Sequence, residues 1–408
     1  MKLSDIQATR SILQDVAIRT PIVKDKKLSA DLGANTYLKA ECLQNGGSFK
    51  VRGAYNKISR LTDEEKRHGV VAPSAGNHAQ GVALAAKLHG IKATIVMPEF
   101  APLTKIIATK AYGADVKLFG LTFDEAAAYA RELTEKFGFT PVHAFDDELV
   151  IAGQGTIGLE IVEDLPDVTV IVVPIGGGGI ISGIAIAVKS LRPNVRIIGV
   201  QAAECAPIKA SIEKGEICVA ETAMTIADGI AVKRPGAITT PIIKEFVDDI
   251  VTVTEDEIAA GIYHCVQTAK LVTEGAGAAG VAALLAGKIK VSKEDVICTV
   301  LCGGNIDPNL LTRVIEQTMA RQGRYILLKL TLIDRPGELA LLSAEVAKTG
   351  ANIIDIFHRR AMWLAPLGHV GIELILEVRD STHGHEVEKH LESVGYHLQR
   401  ETQGDWEN

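Results

Sequence analysis

The chain has 408 residues, which predicts two to three domains at about 150 residues per domain. Hydrophobic residues make up 47% of the sequence and charged residues 23%, a balance that excludes extended disorder and collagen-like repetition. The 50 acidic residues outnumber the 43 Lys and Arg residues and give a net charge of -7. We therefore expect no nucleic-acid partner and no binding to an anionic membrane.

Cysteine usage and the N-terminal segment predict a cytoplasmic protein. None of the six cysteines forms a CxxC pair, and no histidines accompany them at zinc-site spacing, so we expect reduced thiols and no metal centre. The N-terminus contains no apolar run of signal-peptide length. The uncharged stretch Thr169–Val188 is long enough to span a bilayer, but Pro174 and four consecutive glycines interrupt it. We interpret this stretch as a strand, a loop and a helix of a buried sheet.

Short β-branched segments alternate with alanine-rich segments from about residue 68 onward. The strands predicted from this pattern are Val70–Ala72, Ala93–Met97, Asp115–Phe119, Val168–Val173 and Val195–Val200. Helices are predicted at His78–His89, up to about Tyr112, at Thr122–Phe137 and after Gly179. Apolar strands that are separated by helices predict an α/β fold, with a parallel sheet covered on both faces.

The pattern changes after about Met319. A short polar linker at residues 320–324 separates residues 1–319 from a C-terminal domain at residues 325–408. In this domain we predict strands at 325–333, 352–359, 371–378 and near His397, with helices at 338–348 and 383–394. The order βαββαβ is that of a ferredoxin-like domain.

The first candidate for chemistry is Lys50, which follows two glycines and Phe49. A lysine that forms a Schiff base must be partly desolvated, because desolvation lowers the pKa of its amine. Phe49 could supply the apolar wall that such an amine needs. A solvated surface lysine is the alternative, and this motif alone does not decide between them.

A second candidate is the segment Pro73–Gly81, between a predicted strand and a predicted helix. Parallel-sheet proteins bind ligands at such junctions, and free amides at a helix N-terminus suit a carboxylate. Asn77 adds a side-chain amide. An equally good interpretation is a capped helix with Ser74 or Asn77 as the cap.

Two further strands end in glycine-rich loops. The run Gly176–Gly179 allows successive amides to surround an anion at a helix N-terminus, which favours a phosphate site over close packing. It does not match the GxxxxGK[ST] or GxGxxG nucleotide motifs. The other loop contains Cys302, which by itself indicates a buried small residue more than a reactive one.

A lysine amine, an asparagine, a phosphate loop and a weak proton donor together fit pyridoxal phosphate. The order of Ser48–Lys50, Ser74–His78, Gly176–Gly179 and Cys302–Asn305 resembles the fold type II pyridoxal-phosphate enzymes. Within them, residues 5–318 look most like the threonine ammonia-lyases, also called threonine dehydratases. The tail, with its Asp-Arg-Pro-Gly turn and Gly-Ala-Asn-Ile segment, resembles an ACT regulatory domain.

The resemblance implies an architecture for the whole chain. It implies a tryptophan synthase β-like catalytic domain with two open parallel-sheet subdomains, the smaller spanning about residues 52–148. A ferredoxin-like ACT domain would follow and would bind a small-molecule effector. Relatives form homotetramers or homodimers, so we expect a homo-oligomer.

The resemblance also implies roles for individual residues. Lys50 would hold the cofactor covalently next to Phe49, Asn77 would hydrogen-bond the ring hydroxyl, and Cys302 would lie by the pyridine nitrogen. The remaining implied contacts are phosphate binding by Gly176, Gly177, Gly178, Gly179 and Ile180, substrate-carboxylate binding by Ser74, Ala75, Gly76, Asn77 and His78, and effector binding near Asp334, Pro336, Gly337, Asn352 and Ile353.

The implied reaction is the β-elimination and deamination of L-threonine to 2-oxobutanoate and ammonia, with L-serine as a further substrate. Lys50 would remove the Cα proton as general base. A neutral Cys302 does not protonate the ring as an aspartate would, which suits prompt elimination. Some serine dehydratases carry cysteine at this position, so an L-serine ammonia-lyase remains an alternative.

Three other functions deserve comparison. A serine racemase-like enzyme is disfavoured because Ala75 stands where racemases have serine, and because Met224 stands near where they carry a metal-binding glutamate. A nucleotide-binding oxidoreductase leaves Ser48–Lys50 unexplained, and the tail alone favours a non-catalytic amino-acid sensor. For the effector, isoleucine, valine and AMP-type ligands stay open, as do isoleucine biosynthesis and threonine catabolism for the role.

Overall fold

A computed structural model describes residues 1–359 and 365–401 of the chain. The predicted C-terminal domain extends to residue 408, so residues 360–364 and 402–408 of it lie outside the described residues. The chain forms two compact units, residues 1–308 and 309–408. The predicted bounds 1–319, 320–324 and 325–408 stay a prediction.

The first unit alternates helices and strands. Its helices are α1 (Leu3–Leu13), α2 (Lys26–Leu32), α3 (Lys50–Ser59), α4 (Asp63–His68), α5 (Asn77–Leu88), α6 (Leu103–Ala111), α7 (Phe123–Phe137), α8 (Glu148–Asp164), α9 (Gly179–Leu191), α10 (Pro207–Lys214), α11 (Thr239–Phe246), α12 (Glu255–His264) and α13 (Gly275–Leu285). Its strands are β1 (Ile22–Lys24), β2 (Asn35–Lys39), β3 (Val70–Pro73), β4 (Ala93–Met97), β5 (Asp115–Leu118), β6 (Thr140–Pro141), β7 (Val170–Pro174), β8 (Arg196–Ala202), β9 (Asp249–Val253) and β10 (Val296–Val300).

Two open sheets organise this unit. The larger has the strand order β1-β2-β10-β7-β8-β9 and is parallel except for the β1–β2 pair. The smaller has the order β5-β4-β3-β6 and is wholly parallel. Strands β4 and β7 are buried along their whole length, as expected for strands covered on both faces. The predicted α/β fold with two parallel-sheet subdomains is confirmed.

Helix α8 lies in the core between α3 and α9, and glycines allow the close approach. A Cβ atom on Gly153 of α8 would lie 2.5 Å from the Arg52 carbonyl oxygen of α3. On the other side, a Cβ on Gly183 of α9 would lie 2.5 Å from the Gly155 nitrogen. Only a residue without a side chain fits at these crossings. The close packing fixes α3, which begins at Lys50.

The stretch that is long enough for a membrane span has the predicted strand–loop–helix structure. Strand β7 ends at Pro174, and α9 begins at Gly179. Among the described residues, no helix combines the length and the apolar character that crossing a membrane requires.

The second unit is an antiparallel sheet with helices. After α14 (Pro308–Arg321), which begins at the division, come β11 (Tyr325–Ile333), α15 (Glu338–Thr349), β12 (Asn352–Arg359), β13 (His369–Glu377), α16 (Ser381–Ser393) and β14 (Leu398–Glu401). The strand order is β12-β13-β11-β14. Alternate residues of β11 are buried, as in a sheet with one covered face. The βαββαβ order is confirmed, whereas the ACT assignment stays a prediction.

Candidate active site

Three strands of the first unit end where the candidate residues begin. Strand β3 leads into Ser74, β7 into the loop Gly176–Gly179, and β10 into Leu301 and Cys302. Phe49 joins this edge, because its amide donates a 3.1 Å hydrogen bond to the Cys302 carbonyl oxygen. The structure therefore brings the Lys50 segment and the Cys302 segment together, as the resemblance implies.

The Lys50 amine is held at the start of α3. Its Nζ donates a 2.9 Å hydrogen bond to the carbonyl oxygen of Ala144 and lies 5.0 Å from the centre of the Phe49 ring. Burial lowers the pKa of Lys50 to about 8, although Cys302 and Glu274 oppose the shift. A desolvated amine of this kind loses its proton readily, which suits a nucleophile or a general base.

The segment after β3 combines a capped helix with free amides. The Ser74 hydroxyl accepts 3.2 Å hydrogen bonds from the amides of Gly76 and Ala79, while the Ser74 amide donates to Val96. In the described part of the chain, the amides of Ala75, Asn77 and His78 donate to no backbone carbonyl. A Cβ on Gly76 would meet nothing within 4 Å. Anion binding here would therefore use these free amides, and not the Ser74 amide.

Asn77 is fixed by the side chain of Glu274, which the sequence analysis did not single out, and by that of Asn305, the last residue of the Cys302–Asn305 motif. Its Nδ2 donates a 2.6 Å hydrogen bond to Oε1 of Glu274, and its Oδ1 accepts a 2.8 Å bond from Nδ2 of Asn305. Asn305 also donates to the Gly46 carbonyl oxygen at 2.9 Å. The orientation of the Asn77 amide is thereby set before any ligand binds.

Glu274 is a buried carboxyl group at the N-terminus of α13. Burial, followed by the charge of Asp228, raises its pKa to about 7. Asp228 forms an ion pair with Lys105 of α6 in the smaller subdomain, and Lys105 has the opposite effect on Glu274. Glu274 follows Thr273 and precedes a charge-free Gly-Ala-rich helix. A single acidic residue directly before such a helix is the sequence feature from which Glu274 could have been predicted as a site residue.

The glycine loop between β7 and α9 has the properties of an anion cradle. In the described chain, the amides of Gly176 to Ile180 donate to no backbone carbonyl. Gly178 has φ +93°, and a Cβ on Gly177 would lie 2.3 Å from the Phe145 ring. The loop therefore cannot carry side chains, and its amides are left for a ligand at the positive end of α9.

The segment that faces this loop belongs to the turn before α8. The Asp146 carboxylate accepts hydrogen bonds from the amides of Ala237, Ile238 and Thr239 at 2.8 to 3.2 Å. Thr239 in turn donates a 2.6 Å bond to the Gly177 carbonyl oxygen. Asp146 thus ties the turn that carries Ala144 and Phe145 to the wall of the glycine loop.

Cys302 is a buried thiol next to the Lys50 segment. Burial holds the pKa of Cys302 well above its usual range, and the nearby Glu274 has the same effect. The thiol stays neutral in this environment and is not a thiolate nucleophile. This is the character that we expected for the residue beside a pyridine nitrogen.

The effector candidates occupy the second unit, in two places. Asp334, Pro336 and Gly337 lie between β11 and α15, whereas Asn352 and Ile353 begin β12 after α15. Asn352 of β12 and Tyr325 of β11 both pair with Glu377 of β13. Asn352 therefore lies at the same end of the sheet as the start of β11, whereas Asp334 follows the end of β11. At about 3.3 Å per residue, these ends are roughly 25 Å apart. The structure does not bring the two segments together within one chain.

Comparisons with known proteins agree with this geometry. The family model described as pyridoxal-phosphate dependent enzyme matches residues 13–303. The L-threonine ammonia-lyase of Thermotoga maritima is 50% identical over 396 residues, which cover 97% of this chain and 98% of that protein.

Solved structures show the same architecture. The processed form of threonine deaminase isoform 2 from Solanum lycopersicum is 42% identical, with a TM-score of 0.73 over 77% of this chain and 86% of that chain. Maize serine racemase is 33% identical, with a TM-score of 0.74 over 78% of this chain and 98% of that chain. The predicted fold type II architecture is confirmed.

Proposed function

The chain belongs to the family of pyridoxal-phosphate-dependent enzymes, and within that family we propose that it is an L-threonine ammonia-lyase. It converts L-threonine to 2-oxobutanoate and ammonia. The observation that carries the proposal is the Lys50 amine, whose pKa burial lowers to about 8, at an edge formed by a glycine loop and a neutral thiol. The likeness to the Thermotoga maritima enzyme over nearly the whole chain supports threonine as substrate.

The residues of the site fit pyridoxal phosphate. A phosphate needs several converging donors, and the unengaged amides of Gly176, Gly177, Gly178, Gly179 and Ile180 supply them. The fixed Asn77 amide suits the ring hydroxyl, and the neutral Cys302 suits the ring nitrogen. When bound, the cofactor supplies an electron sink for the electron pair released at the substrate Cα.

Lys50 acts twice in the proposed reaction. Its amine would hold the cofactor, beside Phe49, and would be free to act as a base once the substrate is bound. The freed Nζ removes the Cα proton of the substrate as general base. A lowered pKa serves both steps, because each requires the neutral amine.

The loop after β3 orients the substrate. The free amides of Ala75, Asn77 and His78, together with the open space at Gly76, form the proposed site for the substrate carboxylate. Ser74 contributes by capping the loop. A carboxylate held there places the substrate in one orientation relative to the Lys50 amine.

L-Serine is a second proposed substrate, because it has the same β-hydroxyl leaving group. Racemisation is the weaker alternative, since it needs an acid or base on the cofactor face opposite Lys50. Ala75 offers only a methyl group where racemases have serine, and the racemase structure from maize is less similar than the threonine ammonia-lyase from Thermotoga maritima.

The proposal extends to regulation and assembly. An amino-acid or nucleotide effector binds the second unit near Asp334, Pro336 and Gly337 and near Asn352 and Ile353. Because these segments lie at opposite ends of β11 in one chain, two copies of the unit would be needed to bring them together. A cytoplasmic homotetramer or homodimer with an ACT-type domain meets this requirement.

The test is an assay of the reconstituted holoenzyme with L-threonine, L-serine and D-serine. We expect 2-oxobutanoate from L-threonine, a smaller yield of pyruvate from L-serine, and no racemised serine. A holoenzyme that interconverts L- and D-serine without eliminating threonine would contradict the proposal.

A further inference from the structure

The imidazole of His78 combines one satisfied ring nitrogen with one that has no partner. His78 is only 3% exposed. Its Nε2 lies 2.8 Å from the carbonyl oxygen of Val142, and because a carbonyl oxygen only accepts, Nε2 must carry the hydrogen. Nδ1 is therefore a bare acceptor, and it is buried without a hydrogen-bond partner in the described structure.

An unpaired buried acceptor is costly, because it loses its hydrogen bond to water and gains none from the protein. The buried His383 avoids that cost. In the second unit, Nε2 of His383 likewise contacts a carbonyl oxygen, of Thr349, but its Nδ1 accepts a 3.1 Å hydrogen bond from the Arg379 amide. At the active-site turn, Nδ1 of His143 accepts from the amide of Asp146 at 2.8 Å. The acceptor of His78 is left open, and in the described chain the only other histidine nitrogen that is buried without a partner is Nε2 of His89, at the opposite end of α5.

The position of His78 places it beside Lys50. The carbonyl oxygens that bind His78 Nε2 and Lys50 Nζ belong to Val142 and Ala144, two residues apart on one segment. On α5, Gly81 is one turn after His78 and faces Lys50, because a Cβ there would lie 3.1 Å from the Lys50 Cβ. Residues three apart on a helix share a face, so His78 lies on the face of α5 that packs against Lys50.

We infer that His78 is a positioning residue for Lys50, and that its Nδ1 accepts a hydrogen bond from the Lys50 amine during proton transfer. The inference rests on the proposed role of Lys50 as the base. In that step the Cα–H bond breaks, its electron pair stays with the substrate carbon, and the proton joins Nζ. Nδ1 accepts a hydrogen bond from the resulting ammonium group and takes no proton itself.

The electrostatics of the site agree with Lys50 as the base and His78 as a neutral hydrogen-bond acceptor. Burial, and next the charge of Lys50, lower the pKa of His78 to about 3, so the ring stays neutral throughout the working range. An ammonium group retains three hydrogens, and the Ala144 carbonyl oxygen binds one of them. A second fixed acceptor would limit the rotation of Nζ and keep it directed at the substrate.

A measurement on the cofactor-free protein tests the inference without any turnover. Nitrogen-15 NMR of the His78 ring reports its tautomer, and Lys50 is titrated from pH 6 to pH 10. We expect a neutral Nε2–H ring throughout, with an Nδ1 signal that shifts as Lys50 loses its proton near pH 8. His383 serves as the internal reference, since its Nδ1 is already occupied.

Other titrating groups near Lys50 are Glu274, Cys302 and His143. The K50M variant must abolish the Nδ1 shift, and E274Q must leave it in place. An Nδ1 signal that is flat through the titration, or that survives in K50M, would overturn the inference. So would a His78 ring that carries its hydrogen on Nδ1.

Two variants of His78 distinguish a positioning role of its side chain from a structural one. In H78Q the glutamine Nε2 can keep the hydrogen bond to the Val142 carbonyl oxygen, but the variant has no acceptor in place of Nδ1. In H78N the asparagine oxygen replaces the Nδ1 acceptor, but the hydrogen bond to Val142 is lost. We expect H78Q to keep its melting temperature and to lose at least tenfold in kcat, with KM changed less than about twofold. H78N melts earlier yet retains more kcat than H78Q.

The matched control is H383Q, a change in the second unit at a buried histidine with the same Nε2 contact, and it should leave kcat unaltered. If kcat follows stability in both His78 variants, His78 is structural and the inference fails. If the wild-type holoenzyme forms no 2-oxobutanoate, the proposed function fails instead, and the NMR titration still decides the role of His78.

Discussion

Nδ2 of Asn77 donates a 2.6 Å hydrogen bond to Oε1 of Glu274, although the two residues are 197 positions apart in the chain. The acceptor is a carboxyl group whose pKa burial raises to about 7, from an ordinary value of 4.5. Between these two pH values the folded chain binds a proton that the unfolded chain has lost. Stability from this group is therefore present below about pH 4.5 and is lost as the pH rises to about 7.

The E274Q variant should remove this pH dependence, because an amide cannot ionise. Relative to wild type, we expect E274Q to gain stability as the pH rises from 5 to 8, on the order of 3 kcal/mol or about 5 °C in melting temperature. Thermal melts of the cofactor-free proteins at several pH values measure the difference. A difference that stays constant with pH would show that Glu274 is already ionised at pH 5.

The ion pair between Lys105 and Asp228 should tune the same carboxyl group. Asp228 raises the pKa of Glu274 and Lys105 lowers it. We therefore expect D228N to move the pH midpoint of the Glu274 effect downward and K105M to move it upward. The same set of melts, each variant paired with its E274Q double mutant, measures both shifts. Shifts in one common direction would contradict this coupling.

A buried charge network should stabilise the helix that begins at Lys50. Arg52 is 1% exposed and bonds Glu41 at 2.8 and 2.9 Å and Glu160 at 2.6 and 3.0 Å. Replacing Arg52 with alanine leaves the buried Glu41 carboxylate without a hydrogen-bonded cation and Glu160 with Lys39 alone, and we expect a loss of about 3–5 kcal/mol.

The matched control for R52A is R19A, since Arg19 pairs with Glu163 and Asp164 on the surface. Exposed pairs of this kind contribute about 0–1 kcal/mol. Denaturant unfolding of both variants makes the comparison. Equal losses in the two variants would mean that the Arg52 network contributes no more than a surface pair.

The glycine loop should tolerate no side chain at Gly177. In G177A the new methyl group would meet the Phe145 ring, so the loop must move and its amides lose their alignment. We expect at least a tenfold weaker affinity for pyridoxal phosphate, measured by fluorescence titration. The double variant G177A/F145A should recover part of the affinity, because alanine lacks the Cγ and Cδ atoms that the new methyl group would meet. No recovery would mean that the methyl group acts through something other than Phe145.

The sequence predicted those features that depend on local residue types. Lys50, the Gly176–Gly179 loop and the alternation of β-branched and alanine-rich segments each carry their own signal. The structure places the glycine loop between β7 and α9, as expected, and Lys50 at the start of α3.

The missed contacts depend on distant chain segments. Glu274 acquires its role only through Asn77, and Arg52 has no distinguishing sequence signal until folding brings Glu160 beside it. Ala144 contributes a backbone carbonyl, which every residue possesses, so no residue type could indicate it. The acceptor of His78 follows from the tautomer that Val142 imposes, and this too requires the folded chain.

Lys50 carries the cofactor in the proposed enzyme, and reduction of the holoenzyme with borohydride tests this assignment. Reduction converts the bond between cofactor and amine into a stable secondary amine, which digestion and mass spectrometry can place on one peptide. We predict a single pyridoxyl-phosphate label, on Lys50, and its absence after prior exchange with L-threonine or in K50A. A label on another lysine of an active holoenzyme would contradict the assignment of Lys50.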